Sequence, residues 1–180
     1  RTPEAAYRLL AGLGSDWARW EIYFGDERCL PADHAERNSR MAGRARLAGA
    51  PVPLDQVYPI PAGLPAEAAA RRCAAVVEHA APFDLVILGV GEDGHTASLF
   101  PGRALDEQAW TQPVHDAPKP PPERVSLGLV TLRDAAERIV LVSGRDKRDA
   151  LRRVQAGATL PVNRIGTLLW FIDAEAGAGP

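Results

Sequence analysis

Cysteine is almost absent from this 180-residue sequence. Only Cys29 and Cys73 occur, far apart and in no CxxC motif, which excludes a disulfide-dense scaffold and a sequence-visible zinc site. No apolar run approaches the roughly 18 residues of a membrane-spanning helix. Neither sign of charge is in excess: 21 Lys and Arg stand against 23 Asp and Glu, so nothing points to nucleic acid or an anionic membrane surface as a partner. The carboxylates show no HExxH or EF-hand spacing, and neither a metal nor a cofactor is expected. What remains is an ordinary globular composition, 46% hydrophobic and 24% charged, which excludes disorder over most of the length. A single domain over residues 1–180 is expected.

The chain opens on Arg1-Thr2-Pro3 rather than Met. Thr2, Pro3 and Glu4 suit a helix start, and Ala5, Ala6, Leu9, Leu10 and Leu13 continue an apolar stripe that Gly12 or Gly14 ends. Trp20 to Phe24 reads as a short strand stopping at a charged loop, Gly25-Asp26-Glu27-Arg28. A helix is expected over 36–48, a Pro- and Gly-rich loop over 50–65, and an alanine-rich helix over 66–81 with Ala69, Cys73, Val76 and Val77 on one face. Phe83 to Gly89 is nearly continuous apolar, as in a strand buried on both faces of a parallel sheet. Further strands are expected at 125–129, 139–142 and 168–172, a helix at 146–155, and a fraying tail from Ala174. Strands alternate with helices, so the expected class is α/β: an open, mostly parallel sheet flanked by helices. Ligands of such sheets bind beyond the carboxyl ends of the strands, which selects the loops Gly25–Arg28 and Gly89–His95.

Gly89-Val90-Gly91-Glu92-Asp93-Gly94 matches GxGxxG, the fingerprint of a dinucleotide loop. Glu92 and Asp93 speak against that use, because two carboxylates would face a pyrophosphate. Pro101-Gly102 also leaves room for only about two helical turns after the loop. The glycines instead allow a tight turn that exposes Asp93 and His95. His95 is the chain's best general base, and Asp93 suits holding one imidazole nitrogen. The structural alternative is that Asp93 caps a short helix and His95 is a solvated loop residue. Arg28 suits bidentate binding of phosphate or carboxylate. Lys119 stands in a stiff proline run with Arg124 close behind, which lowers the entropy lost on fixing a ligand. Ion-paired or plain surface loops are the competing readings of both. Cys29 lies beside Arg28, which could lower its pKa, but nothing near it in sequence resembles a Cys-His pair, and both cysteines read as small buried apolar residues.

Taken together, four segments resemble the 6-phosphogluconolactonase family: Phe24-Gly25-Asp26-Glu27-Arg28 with Pro31 and Asn38; FDLVILGVGEDGHTASLFPG from Phe83 to Gly102; Pro118 to Ser126; and Val142-Ser143-Gly144 with Lys147, followed by Leu160-Pro161-Val162. The resemblance implies a Rossmann-like α/β fold of the sugar-phosphate isomerase/lactonase type. It implies a metal-independent cytoplasmic enzyme, expected to be a monomer, that hydrolyses 6-phospho-D-glucono-1,5-lactone. His95 would activate water with support from Asp93. Arg28 would serve catalysis and, with Lys119, bind the phosphorylated substrate; Thr2, Asn38 and Arg124 are further substrate-binding candidates. It also implies an earlier helix, strand and Gly-Gly-x-Thr-Pro loop, of which Thr2-Pro3 looks like the end. A domain lacking that first strand and helix should expose an apolar sheet edge.

The nearest rival is a glucosamine-6-phosphate deaminase/isomerase type of enzyme, whose Asp-Gly-His loop runs into a carboxylate-bearing Asn-Glu-Pro segment where this chain has Ala97-Ser98-Leu99-Phe100-Pro101. A non-catalytic sugar-phosphate-binding domain on the same fold is the second rival. It would keep Arg28 and Lys119 and have no need of His95.

Overall fold

The computed structural model describes residues 2–45, 50 and 52–177. Helix α1 (Thr2–Ala11) starts on Thr2-Pro3-Glu4 as expected and carries a Glu4–Arg8 ion pair one turn apart. Its apolar stripe is not buried: no α1 residue is in the core, and Leu9 is 75% exposed. Strand β1 (Ile22–Tyr23) is shorter than the apolar run that announces it.

The expected charged loop at 25–28 is instead strand β2 (Asp26–Arg28). It pairs antiparallel with β6 (Arg124–Leu127), placing Arg28 opposite Arg124 and Asp26 opposite Ser126. The reason is Glu27, which is wholly buried. Its carboxylate accepts from the backbone N–H of Arg28, Asn38 and Ser39 and from the Ser39 hydroxyl, at 2.7–2.9 Å, with Arg37 Nε 3.3 Å away. Asn38 and Ser39 open helix α2 (Asn38–Arg44). Glu27 therefore caps that helix from outside and satisfies donors its own N-cap residue leaves free. The helix expected over 36–48 is thus shorter at both ends, and residues 46–48 lie outside the described set.

Within the expected loop at 50–65 stands a short strand, β3 (Val57–Tyr58), parallel to β1. Helix α3 (Ala66–Ala80) forms as its alanine content dictates, with Ala69, Cys73 and Val77 buried. It packs on an antiparallel sheet of order β2-β6-β5, where β5 (Thr111–Val114) was not legible. Pro113 disguises β5, and it is tolerated there because β5 is an edge strand. The third sheet is parallel, in the order β4 (Leu85–Gly89), β7 (Glu137–Val142), β8 (Leu169–Ile172). The α/β class holds, but among the described residues the strands form three sheets, two parallel and one antiparallel, rather than one open sheet.

After Gly128 the chain turns directly into helix α4 (Leu129–Asp134) instead of extending the strand. Helix α5 (Arg148–Gln155) matches expectation, and the tail contains a helical turn, α6 (Ala174–Gly177), with Ala176 buried rather than frayed. Residues 178–180 lie outside the described set. Strand β4 is not buried on both faces. Val86 and Leu88 face the core, while Leu85 is 42% exposed and, among the described residues, β4 pairs with β7 alone.

Candidate active site

Strand β4 delivers the chain to Gly89, and the next six residues, Val90 to His95, form a tight turn. Gly91 N–H donates to the His95 carbonyl at 2.8 Å and Gly94 N–H to the Gly91 carbonyl at 2.9 Å. Gly94 has φ +93°, a conformation side chains disfavour. Gly91 is required for a different reason: a Cβ there would lie 2.1 Å from His95 Nδ1 and 2.6 Å from Asp93 Oδ1. Those two atoms are 2.6 Å apart, joined by a hydrogen bond. No helix follows the turn, so Asp93 caps none. Residues 90–102 stay irregular, which removes the helix amino terminus a dinucleotide loop requires.

The pair is half-buried. Burial pushes the Asp93 carboxyl up, but the His95 charge and its hydrogen bonds outweigh that, and the carboxyl sits below the usual range. The bond to Asp93 fixes the His95 ring through Nδ1 and leaves Nε2 without a hydrogen bond to the described residues. The ring also packs on Phe100, with centroids 4.8 Å apart.

Two cations meet this loop from distant parts of the chain. Lys119 Nζ lies 3.3 Å and Lys147 Nζ 4.0 Å from the Glu92 carboxylate. Sequence reading took Glu92 only as a repulsive charge and gave Lys147 no role, although Lys147 stood inside one of the quoted motifs.

Arg28 lies on β2, its guanidinium donating through Nη1 to the Glu36 carbonyl while the buried Nε finds no acceptor among the described residues. Thr2 opens α1. Asn38 is committed within the protein: its Nδ2 donates to the carbonyl and carboxyl oxygens of Asp26. Asp26 in turn accepts from Ser98 Oγ at 2.6 Å, which ties β2 to the His95 loop. Burial holds the Asp26 carboxyl above its ordinary range. Arg124 is 5% exposed, and its guanidinium donates to main-chain carbonyls. Burial pushes the Cys29 and Cys73 thiols up to about 11, which suits inert packing. An apolar groove of about 580 Å³ beside α2 and β3 includes none of the expected site residues; Asp93, His95, Glu92, Lys119 and Lys147 converge at the β4 loop instead.

A sequence model of the glucosamine-6-phosphate isomerases/6-phosphogluconolactonase family matches residues 1–170. The chain belongs to that family. It is 40% identical over 176 residues to 6-phosphogluconolactonase of Rattus norvegicus, covering 90% of this chain and 68% of the rat protein. To chloroplastic 6-phosphogluconolactonase 3 of Arabidopsis thaliana it is 34% identical, covering 89% of this chain and 56% of that one. The crystal structure of 6-phosphogluconolactonase from Thermotoga maritima superposes with a TM-score of 0.89 at 27% identity, over 96% of this chain and 81% of that one. A monomeric glucosamine-6-phosphate deaminase shares the fold, with a TM-score of 0.81 at 21% identity. Within the family fold, no helix of the described residues is long and apolar enough to cross a membrane.

Proposed function

We propose that this protein hydrolyses 6-phospho-D-glucono-1,5-lactone to 6-phospho-D-gluconate. The observation that carries this is the Asp93–His95 pair, 2.6 Å apart at the carboxyl end of β4. Membership of the family and the named relatives support the same reading. His95 Nε2 takes a proton from water as the water oxygen attacks the C1 carbonyl. The C1–O5 bond of the ring then breaks, the proton passes to O5, and the open acid ionises. Asp93 stabilises the imidazolium in between and fixes the ring that carries it. Arg28 and Lys119 bring positive charge to the phosphate, and Lys147 joins Lys119 on Glu92. Thr2 adds a hydroxyl at the amino end of α1. The scheme uses neither metal nor cofactor, and one chain holds every group in it.

His95→Ala should lower kcat by about 10²- to 10⁴-fold with an unchanged thermal unfolding curve. Near-normal turnover would remove His95 from the mechanism. Arg28→Ala and Lys119→Ala should each weaken binding of 6-phosphogluconate, and unchanged affinity in both would move the phosphate site elsewhere. Deamination is the weaker reading. Phe100, 2% exposed and packed on the His95 ring, stands in the segment where the rival chemistry needs a carboxylate. Ammonia release from glucosamine 6-phosphate would reverse that judgement.

A further inference from the structure

Three consecutive prolines, Pro120 to Pro122, follow Lys119. Proline offers a carbonyl but no N–H, so this stretch cannot hold itself in place with a backbone ladder, and its carbonyls need donors from elsewhere. Ala117 N–H serves Pro122 at 3.0 Å. The rest fall to one side chain. Arg124 Nε donates to the Pro121 carbonyl at 3.1 Å, and Nη2 to those of Lys119 at 2.8 Å and Pro120 at 3.3 Å. The same guanidinium carbon lies 5.7 Å from the centre of the Phe100 ring, and Phe100 packs on His95. Burial disfavours the Arg124 cation, and Asp26 opposes that effect with the opposite charge.

We infer that Arg124 is a positioning residue, which acts through the main chain of Lys119 to hold that lysine's ammonium at the substrate. This rests on the lactonase reading for the identity of the ligand. Arg124 has spent its Nε and Nη2 donors on the loop and is 5% exposed, so those donors are committed to holding the main chain rather than offered to a phosphate. The geometry requires a planar fork. A lysine at this position keeps the charge but lacks the directed donors that reach three successive carbonyls and the flat face that meets Phe100.

The test titrates 6-phosphogluconate calorimetrically and follows lactone turnover in wild type, Arg124→Gln, Arg124→Lys, Lys119→Ala and the Lys119→Ala/Arg124→Lys double variant. Both Arg124 variants should weaken 6-phosphogluconate binding and raise KM by about 10-fold, with kcat within about threefold of wild type. In the Lys119→Ala background, Arg124→Lys should add less than about twofold, because the group it positions is gone. Arg124→Lys keeps the charge that Asp26 faces, and it carries the test if Arg124→Gln does not fold. Wild-type affinity in Arg124→Lys, a loss that multiplies fully with that of Lys119→Ala, or a loss in kcat alone would each overturn the assignment. Absence of lactone turnover by wild type would sink the lactonase reading. The non-additive binding losses would still support the positioning role.

Discussion

At Gly91 the molecule leaves no room for a side chain. Gly91→Ala would drive a methyl into the Asp93–His95 hydrogen bond, so lactone turnover should fall about as far as in His95→Ala, about 10²-fold or more. Full activity in that variant would mean the pair is not needed closed. Asp93 itself gives a pH signature. Its carboxyl is depressed in the folded state despite burial, chiefly because His95 opposes the effect of burial. A depressed carboxyl stabilises above the unfolded-state value of about 3.9, and the contribution disappears as pH falls through the folded value. Asp93→Asn should therefore be less stable than wild type at pH values above the unfolded-state value, and the gap should close as pH falls through the depressed folded-state value. A urea series at several pH values measures it; a gap that stays constant would place the stabilisation elsewhere. Asp93 and His95 were legible because a buried strand followed by glycines announces an exposed turn. Lys147 and Glu92 were not, because their meeting depends on bringing residue 147 back to residue 92.

At the scale of elements, β2 depends on one carboxylate. Three charges in a row read as a solvated loop, and it is the burial of Glu27 among helix N–H groups that makes them a strand. Glu27→Ala leaves those donors unpaired in the interior and Arg37 without its counter-charge. The expected cost is about 3–5 kcal/mol, read as a fall in the urea midpoint, with Arg28 displaced and 6-phosphogluconate binding weakened in parallel. A loss below about 1 kcal/mol would show that water reaches the vacated site. Periodicity found α3 and α5, whose faces repeat in the sequence. It missed β2, β5 and α4, whose character comes from partners: β6 for the two strands, and for α4 the turn at Gly128, where Thr131 Oγ1 bonds the Trp110 carbonyl at 2.6 Å.

At the scale of the molecule, the parallel sheet has two unequal faces. Ile87, Ile139 and Leu169 share one register level, and Gly89, Leu141 and Phe171 the next. On that face Leu85, Leu169 and Phe171 are exposed, whereas Val86, Leu88 and Val140 are buried on the other. Leu169→Thr with Phe171→Thr should change stability by less than about 1 kcal/mol and reduce self-association, because an exposed apolar patch favours it. Val140→Ala, on the opposite face, should cost about 2 kcal/mol or more. Equal costs for the two changes would mean that both faces belong to the core.

The sequence by itself determined the α/β class, the long helices, the β4 strand and the Asp93-Gly94-His95 turn. Each is a local matter of side-chain period or backbone freedom, written within a few residues. Tertiary structure decided the rest. It divided the strands into three sheets and turned Asp26–Arg28 into a paired strand. It drew Lys119 and Lys147 to Glu92, and it spent Asn38 and Arg124 on the protein's own oxygens. Those outcomes depend on which buried polar group finds which partner across tens of residues, and hydrogen-bond satisfaction in a packed interior is settled only when the whole chain has closed around it.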